Sequence, residues 1–143
     1  MGYLIDTNVL SEAVKSAADP GVREWLGSLP TTRGFLSVLT LGEITRGVEL
    51  VPPGSRKEQL RAWLAQELPQ RFSGRILDID REVAEAWGVL DAEGRRIGRP
   101  LPIVDGLLLA TARFHNLTFV TRNIRDCGDR GVPVLNPWSG GGG

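Results

Sequence analysis

The 143-residue chain is 41% apolar, which suits one ordinary domain with a single buried core. Seventeen Lys and Arg offset seventeen Asp and Glu, so net charge lends no support to nucleic-acid binding, although a local patch can still bind phosphate on a neutral protein. The lone cysteine, Cys127, rules out an internal disulfide, and no apolar run approaches the ~20 residues of a membrane helix.

The amino terminus enters at once on Tyr3-Leu4-Ile5-Asp6, without the basic and apolar regions of a signal peptide. The expected product is cytoplasmic, with no membrane association. Tyr3 to Asp6 reads as a first strand. Helical periodicity follows at Val9 to Val14, then at Val22 to Leu29 after Asp19-Pro20-Gly21. Phe35 to Leu39 reads as a second strand, and a helix from near Thr40 to Leu50 is broken by Pro52-Pro53-Gly54. Lys57 to Leu68 is amphipathic, with Leu60, Trp63, Leu64 and Leu68 on one face; the same face suits core packing, a partner's segment or a second subunit. Arg75 to Asp78 is a short strand, and Asp80 caps a helix carrying Val83, Trp87 and Leu90. Pro102 opens a helix that runs to about His115. Leu117 to Thr121 and Val132 to Leu135 are the last strands, and Pro133 favours a sheet edge or a strand start.

Strands alternating with helices predict an α/β fold with a mainly parallel central sheet flanked by helices. Residues 1–138 form the domain, and the Gly-rich segment 139–143 is a flexible tail. Ligands of such sheets bind beyond the carboxyl ends of the strands. Asp6 closes the first strand there, and Thr121, Arg122 and Asn123 close a later one.

Three acids have ordinary explanations at helix starts. Asp6 suits an N-cap. Thr40-Leu41-Gly42-Glu43 has the form of a capping box, with Glu43 reaching back to Thr40. Asp105 falls in the first turn of an apolar helix, where the dipole favours an acid. In a parallel sheet those helix starts gather on one side, where three carboxylates repel one another unless a cation lies between them. A hard divalent ion with oxygen ligands fits, and Mg2+ leaves room for a substrate phosphate. No Cys/His cluster suits zinc, and no Gly-rich phosphate loop is present. The sole histidine, His115, suits a helix end better than a serine-activating base.

Four segments in order resemble PIN-domain ribonucleases, most closely the VapC-type toxins of bacterial type II toxin–antitoxin pairs. They are Leu4-Ile5-Asp6-Thr7-Asn8-Val9-Leu10-Ser11, Gly42-Glu43-Ile44-Thr45-Arg46-Gly47, Asp105-Gly106-Leu107-Leu108-Leu109-Ala110-Thr111-Ala112 and Val120-Thr121-Arg122-Asn123. The closing Val134-Leu135-Asn136-Pro137-Trp138 is similar to the end of this family. The resemblance implies an endoribonuclease dependent on Mg2+ or Mn2+, with Asp6, Glu43 and Asp105 as catalytic and metal-binding acids. It further implies a homodimer inhibited by a cognate antitoxin. Thr7 and Asn8 would orient Asp6, and Thr121 takes the family's hydroxyl position. Many relatives have a fourth acid where this chain has Asn123, which cannot supply charge. Asp126 replaces that charge through water, or is a solvated loop acid. Cys127 is a small buried filler where relatives often have an aromatic.

Arg46 and Arg122 are candidate phosphate contacts, with salt bridges as the plain alternative. Arg95, Arg96 and Arg99 read as a basic loop, solvated or on an RNA backbone. Trp25, Trp63 and Trp87 suit core or interface positions. The sequence is compatible with two rival functions. A PIN-like protein that binds RNA or a partner without cutting is favoured by Asn123. A small-phosphoester phosphatase is disfavoured because Asp6-Thr7-Asn8 lacks a second aspartate two residues on.

Overall fold

A computed structural model describes residues 1–140. Strand β1 (Tyr3–Ile5) lies at the centre of a five-stranded sheet, between β2 (Gly34–Ser37) and β4 (Thr118–Val120). β3 (Ile76–Leu77) adds beyond β2 and β5 (Val134–Leu135) beyond β4, and every pairing is parallel. The sheet is buried on both faces, so its central strands are continuously apolar. Leu4, Leu36, Phe119 and Val120 have no exposed surface.

Side-chain alternation sorts two cores. Ile5, Leu36 and Val120 face helices α1 (Thr7–Ala13), α2 (Pro20–Ser28) and α3 (Val38–Glu49) through Val9, Leu10, Val22, Leu26, Ile44 and Val48. Leu4 and Phe119 face α6 (Arg81–Arg96) and α7 (Ile103–Phe114) through Leu90, Leu108, Leu109 and Ala112. Burial of each of these Val, Leu, Ile and Phe side chains contributes about 1.5–3 kcal/mol relative to exposure.

Several boundaries depart from sequence expectation. β2 ends at Ser37, because its hydroxyl accepts from Leu39 N at 3.1 Å and caps α3, drawing Val38 and Leu39 into the helix. The helix therefore starts two residues before Thr40, and the capping box does not form. The amphipathic segment after Pro53 is also not one regular helix. α4 (Ser55–Ala62) passes through a π-helical turn, Trp63–Glu67, into α5 (Leu68–Arg71). Pro69 has no N–H to continue the regular ladder, and Leu68 N instead bonds Trp63 O five residues back. Leu68 is buried, while Leu60, Trp63 and Leu64 pack half-buried against the core. Arg95 and Arg96 lie in the last turn of α6 rather than in a loop, where cations suit the dipole. The expected edge proline holds: Pro133 immediately precedes β5, at the sheet edge.

β2 and β3 extend the sheet from one side of β1, and β4 and β5 from the other. Strand order reverses between β1 and β4, so the crevice above their carboxyl ends is the expected ligand position. Among the described residues no helix is long and apolar enough to cross a membrane.

Candidate active site

Register fixes the first two groups. Ile5 pairs with Val120, and Asp6 N donates to Val120 O at 2.9 Å, which brings Asp6 and Thr121 out at the same level. Asp6 is the N-cap of α1 and only 8% exposed. Its Oδ1 accepts from Thr7 N at 2.7 Å and its Oδ2 from Thr121 Oγ1 at 2.8 Å. Burial pushes its carboxyl up to about 6, against those two hydrogen bonds, and the charges of Asp105 and Glu43 add to the rise.

Thr121 is fully buried and serves three partners. Besides donating to Asp6, its oxygen accepts from Asn8 Nδ2 at 3.3 Å and from Asn123 N at 3.1 Å. Asn8 Oδ1 accepts from Arg122 N at 3.4 Å. Among the described residues Asn8 therefore reaches Asp6 through Thr121. Thr7 orients Asp6 through its amide, whereas its hydroxyl donates to Glu43 Oε1 at 2.6 Å.

Glu43 lies in the second turn of α3, so the shared-helix-start argument fails for this acid. The contact with Thr7 brings it to the crevice instead. Arg46 approaches Glu43 Oε2 at 4.0 Å from an exposed position, a loose ion pair. Asp105 falls in the first turn of α7 as expected. Gly106 behind it lies against Trp87, whose Nε1 stands 2.9 Å from where a Cβ would be. The Asp105 carboxylate is half-buried and has neither a hydrogen bond nor an ion pair among the described residues. Burial, then Glu43, then Asp126 raise its affinity for a proton.

Asn123 caps the short helix α8 (Ile124–Cys127), its Oδ1 accepting from Asp126 N at 3.4 Å. Asp126 is exposed, in that helix rather than in a loop, and its charge reaches Asp105. Arg99 braces this segment through the carbonyls of Arg125 (3.1 Å) and Asp126 (3.4 Å). Cys127 is a buried filler, and burial pushes its thiol up to about 12. Arg122 is exposed, and its guanidinium lies 5.1 Å from the Trp138 ring centroid. Sequence reasoning missed the Thr7–Glu43 bond and this stack. The Asn136-Pro137-Trp138 ending was the only signal for the latter.

Asp6, Glu43 and Asp105 thus share one electrostatic field above the β1–β4 switch. Among the described residues no three acidic, His or Cys side chains are already closed at metal-ligand spacing. The donor set is nevertheless all oxygen, and Thr7 and Thr121 fix two of its carboxylates in orientation.

Residues 3–125 match the family model described as PIN domain. The chain belongs to the PIN-domain family. Among curated relatives of this PIN domain is Toxin FitB of Neisseria gonorrhoeae, 36% identical over 135 residues, covering 94% of this chain and 97% of the relative. A protein named VapC ribonuclease Y4jK, from Sinorhizobium fredii, is 29% identical over 135 residues, covering 94% and 96%. Among solved structures, FitAcB from Neisseria gonorrhoeae superposes with a TM-score of 0.91 at 35% identity, covering 95% of this chain and 98% of that one. The sequence resemblance to PIN domains and the parallel α/β architecture both hold.

Proposed function

We propose that this PIN domain is the ribonuclease toxin of a toxin–antitoxin pair and hydrolyses RNA phosphodiester bonds with a divalent metal, Mg2+ or Mn2+. The observation that carries the reading is the unpartnered Asp105 carboxylate facing the field of Glu43, with Asp6 in the same field. Like charges held together without a counter-ion are costly, and an oxygen-ligated divalent cation relieves them. Relatives named toxin and ribonuclease support the substrate class and a cognate antitoxin; the reading further takes in a homodimer acting in the cytoplasm, as the family resemblance implies.

Asp6 and Asp105 would hold the ion, with Glu43 directly or through water. When bound, the metal supplies activation of water and charge neutralisation at an in-line phosphoryl transition state. The chain's own residues supply orientation. Thr121 and the Thr7 amide fix both oxygens of Asp6, and the Thr7 hydroxyl fixes Glu43. Asn123 leaves the site one charge short of many relatives and favours, as a second reading, a PIN-like protein that binds RNA or a partner without cutting.

The test compares wild type, Asp6→Asn and Asp105→Asn on RNA, with magnesium and with chelator. Wild-type cleavage lost in both variants and in chelator is the expected result. Equal cleavage by all three proteins, or indifference to chelator, would sink the proposal, and metal-independent RNA binding without turnover would favour the second reading.

A further inference from the structure

The carboxyl-terminal segment is fastened to α2 and touches the residue that follows Thr121. Asp19, the N-cap of α2, accepts from Val22 N at 3.1 Å. The same carboxylate accepts from Ser139 N at 2.9 Å and from the Ser139 hydroxyl at 2.7 Å. Gly21 lets the backbones meet: a Cβ there would stand 2.6 Å from Pro137 O and 2.5 Å from Ser139 N. The residue expected to begin a flexible tail is therefore clipped to the fold. Trp138 sits between these fastenings, its N–H on Asn136 Oδ1 at 2.9 Å and its ring packed on the core.

Arg122 lies over that ring, one residue beyond the Thr121 hydroxyl that holds Asp6. Among the described residues its guanidinium makes no hydrogen bond or ion pair. An aromatic face holds a guanidinium without using its N–H donors, whereas a carboxylate would occupy them. We infer that Trp138, clipped to α2 through Ser139 and Asp19, is a positioning residue that presents the Arg122 guanidinium to an RNA phosphate beside the carboxylates. This rests on the ribonuclease reading for its substrate and deepens it.

The test measures binding of a short single-stranded RNA in an Asp6→Asn background with magnesium, so that turnover does not interfere. Adding Trp138→Ala should weaken binding about two- to fivefold, the scale of an exposed cation–π contact. Trp138→Phe should restore most of it, and Arg122→Ala should weaken binding at least as much. The triple variant should bind no worse than the one carrying Arg122→Ala, and the salt slope should fall by about 0.7 when Arg122 is lost. Thermal melts establish that each variant is folded at the assay temperature. Should Trp138→Ala prove unstable, Ser139→Ala, which loosens the clip, should shift binding in the same direction. Multiplicative losses, no rescue by Phe, or unaltered binding in Arg122→Ala would overturn the inference. Cleavage by the wild type, measured separately with and without chelator, reports on the ribonuclease reading alone.

Discussion

Thr121 Oγ1 donates to Asp6 Oδ2 at 2.8 Å, closing the ends of β1 and β4 across 115 residues of chain. The same oxygen accepts from Asn8 and from the Asn123 amide, so one hydroxyl sets the orientation of the acid and the exit of the β4 loop. Thr121→Val keeps the shape and removes every one of these bonds. It should destabilise the fold by about 1–3 kcal/mol, because buried polar groups lose their partner. It should also lower metal affinity or cleavage about 10- to 100-fold, as loss of a ligand-orienting group does. Thr121→Ser, which retains the hydroxyl, should recover most of both. Urea titration and RNA cleavage read the two effects, and a Val variant with full activity would reject the role.

At neutral pH the buried charge of Asp6 costs stability. Its carboxyl is raised from 3.8 to about 6, chiefly by burial. Between those values the native state keeps a proton that the unfolded state releases, so this group's contribution falls as pH rises through 6. The shift corresponds to at most about 3 kcal/mol at neutral pH. Asn can satisfy only one of the two donors that Asp6 now accepts, so Asp6→Asn should stabilise the metal-free protein by about 1–2 kcal/mol at pH 7 while abolishing cleavage. The gain over wild type should shrink as pH falls from 7 to 4, and magnesium should narrow it by stabilising only the wild type. Paired melts across pH check this; a variant less stable than wild type at pH 7 would contradict it.

The sheet and its capped helices were legible because they follow from local chemistry. Asp19-Pro20 and Asp80 open α2 and α6 as their residue types predict, and period-two burial places Leu4 and Ile5 on opposite faces. Val38-Leu39 was misread because a β-branched residue after Phe35-Leu36 continues a strand pattern, and a Ser37 cap competes with it only once the chain turns. Asp6 and Asp105 stand at helix starts as the sequence predicts, whereas Glu43 does not. A bond between Thr7 and Glu43 spans 36 residues and leaves no periodic trace. The Arg122–Trp138 stack is hidden for the same reason.

Cys127 is 1% exposed, and its thiol is pushed up to about 12 by burial first and by the nearby charges of Asp105 and Asp6 next. Thiolate is the reactive form, so at pH 8 the native thiol should react with a disulfide reagent at least about a thousandfold more slowly than the unfolded chain. Denaturant should release one equivalent of thiol. Prompt labelling of native protein would show that the α8 segment opens readily, despite the bracing by Arg99.

Asn123 is the position at which charge can be restored with the least disturbance. Its side chain caps α8 through a long bond to Asp126 N, a role that aspartate fills equally well. Asn123→Asp should therefore leave folding within about 0.5 kcal/mol while adding one carboxylate to the field around Asp105. Asp126 already contributes to that field from an exposed position, where solvent weakens it, so the gain should be moderate. Apparent magnesium affinity should rise about 3- to 10-fold, as ligand charge count tunes oxygen-ligated sites. Calorimetric titration and the magnesium dependence of cleavage measure it independently. If neither moves, the missing fourth acid does not limit the site, and Asp126 or water already serves in its place.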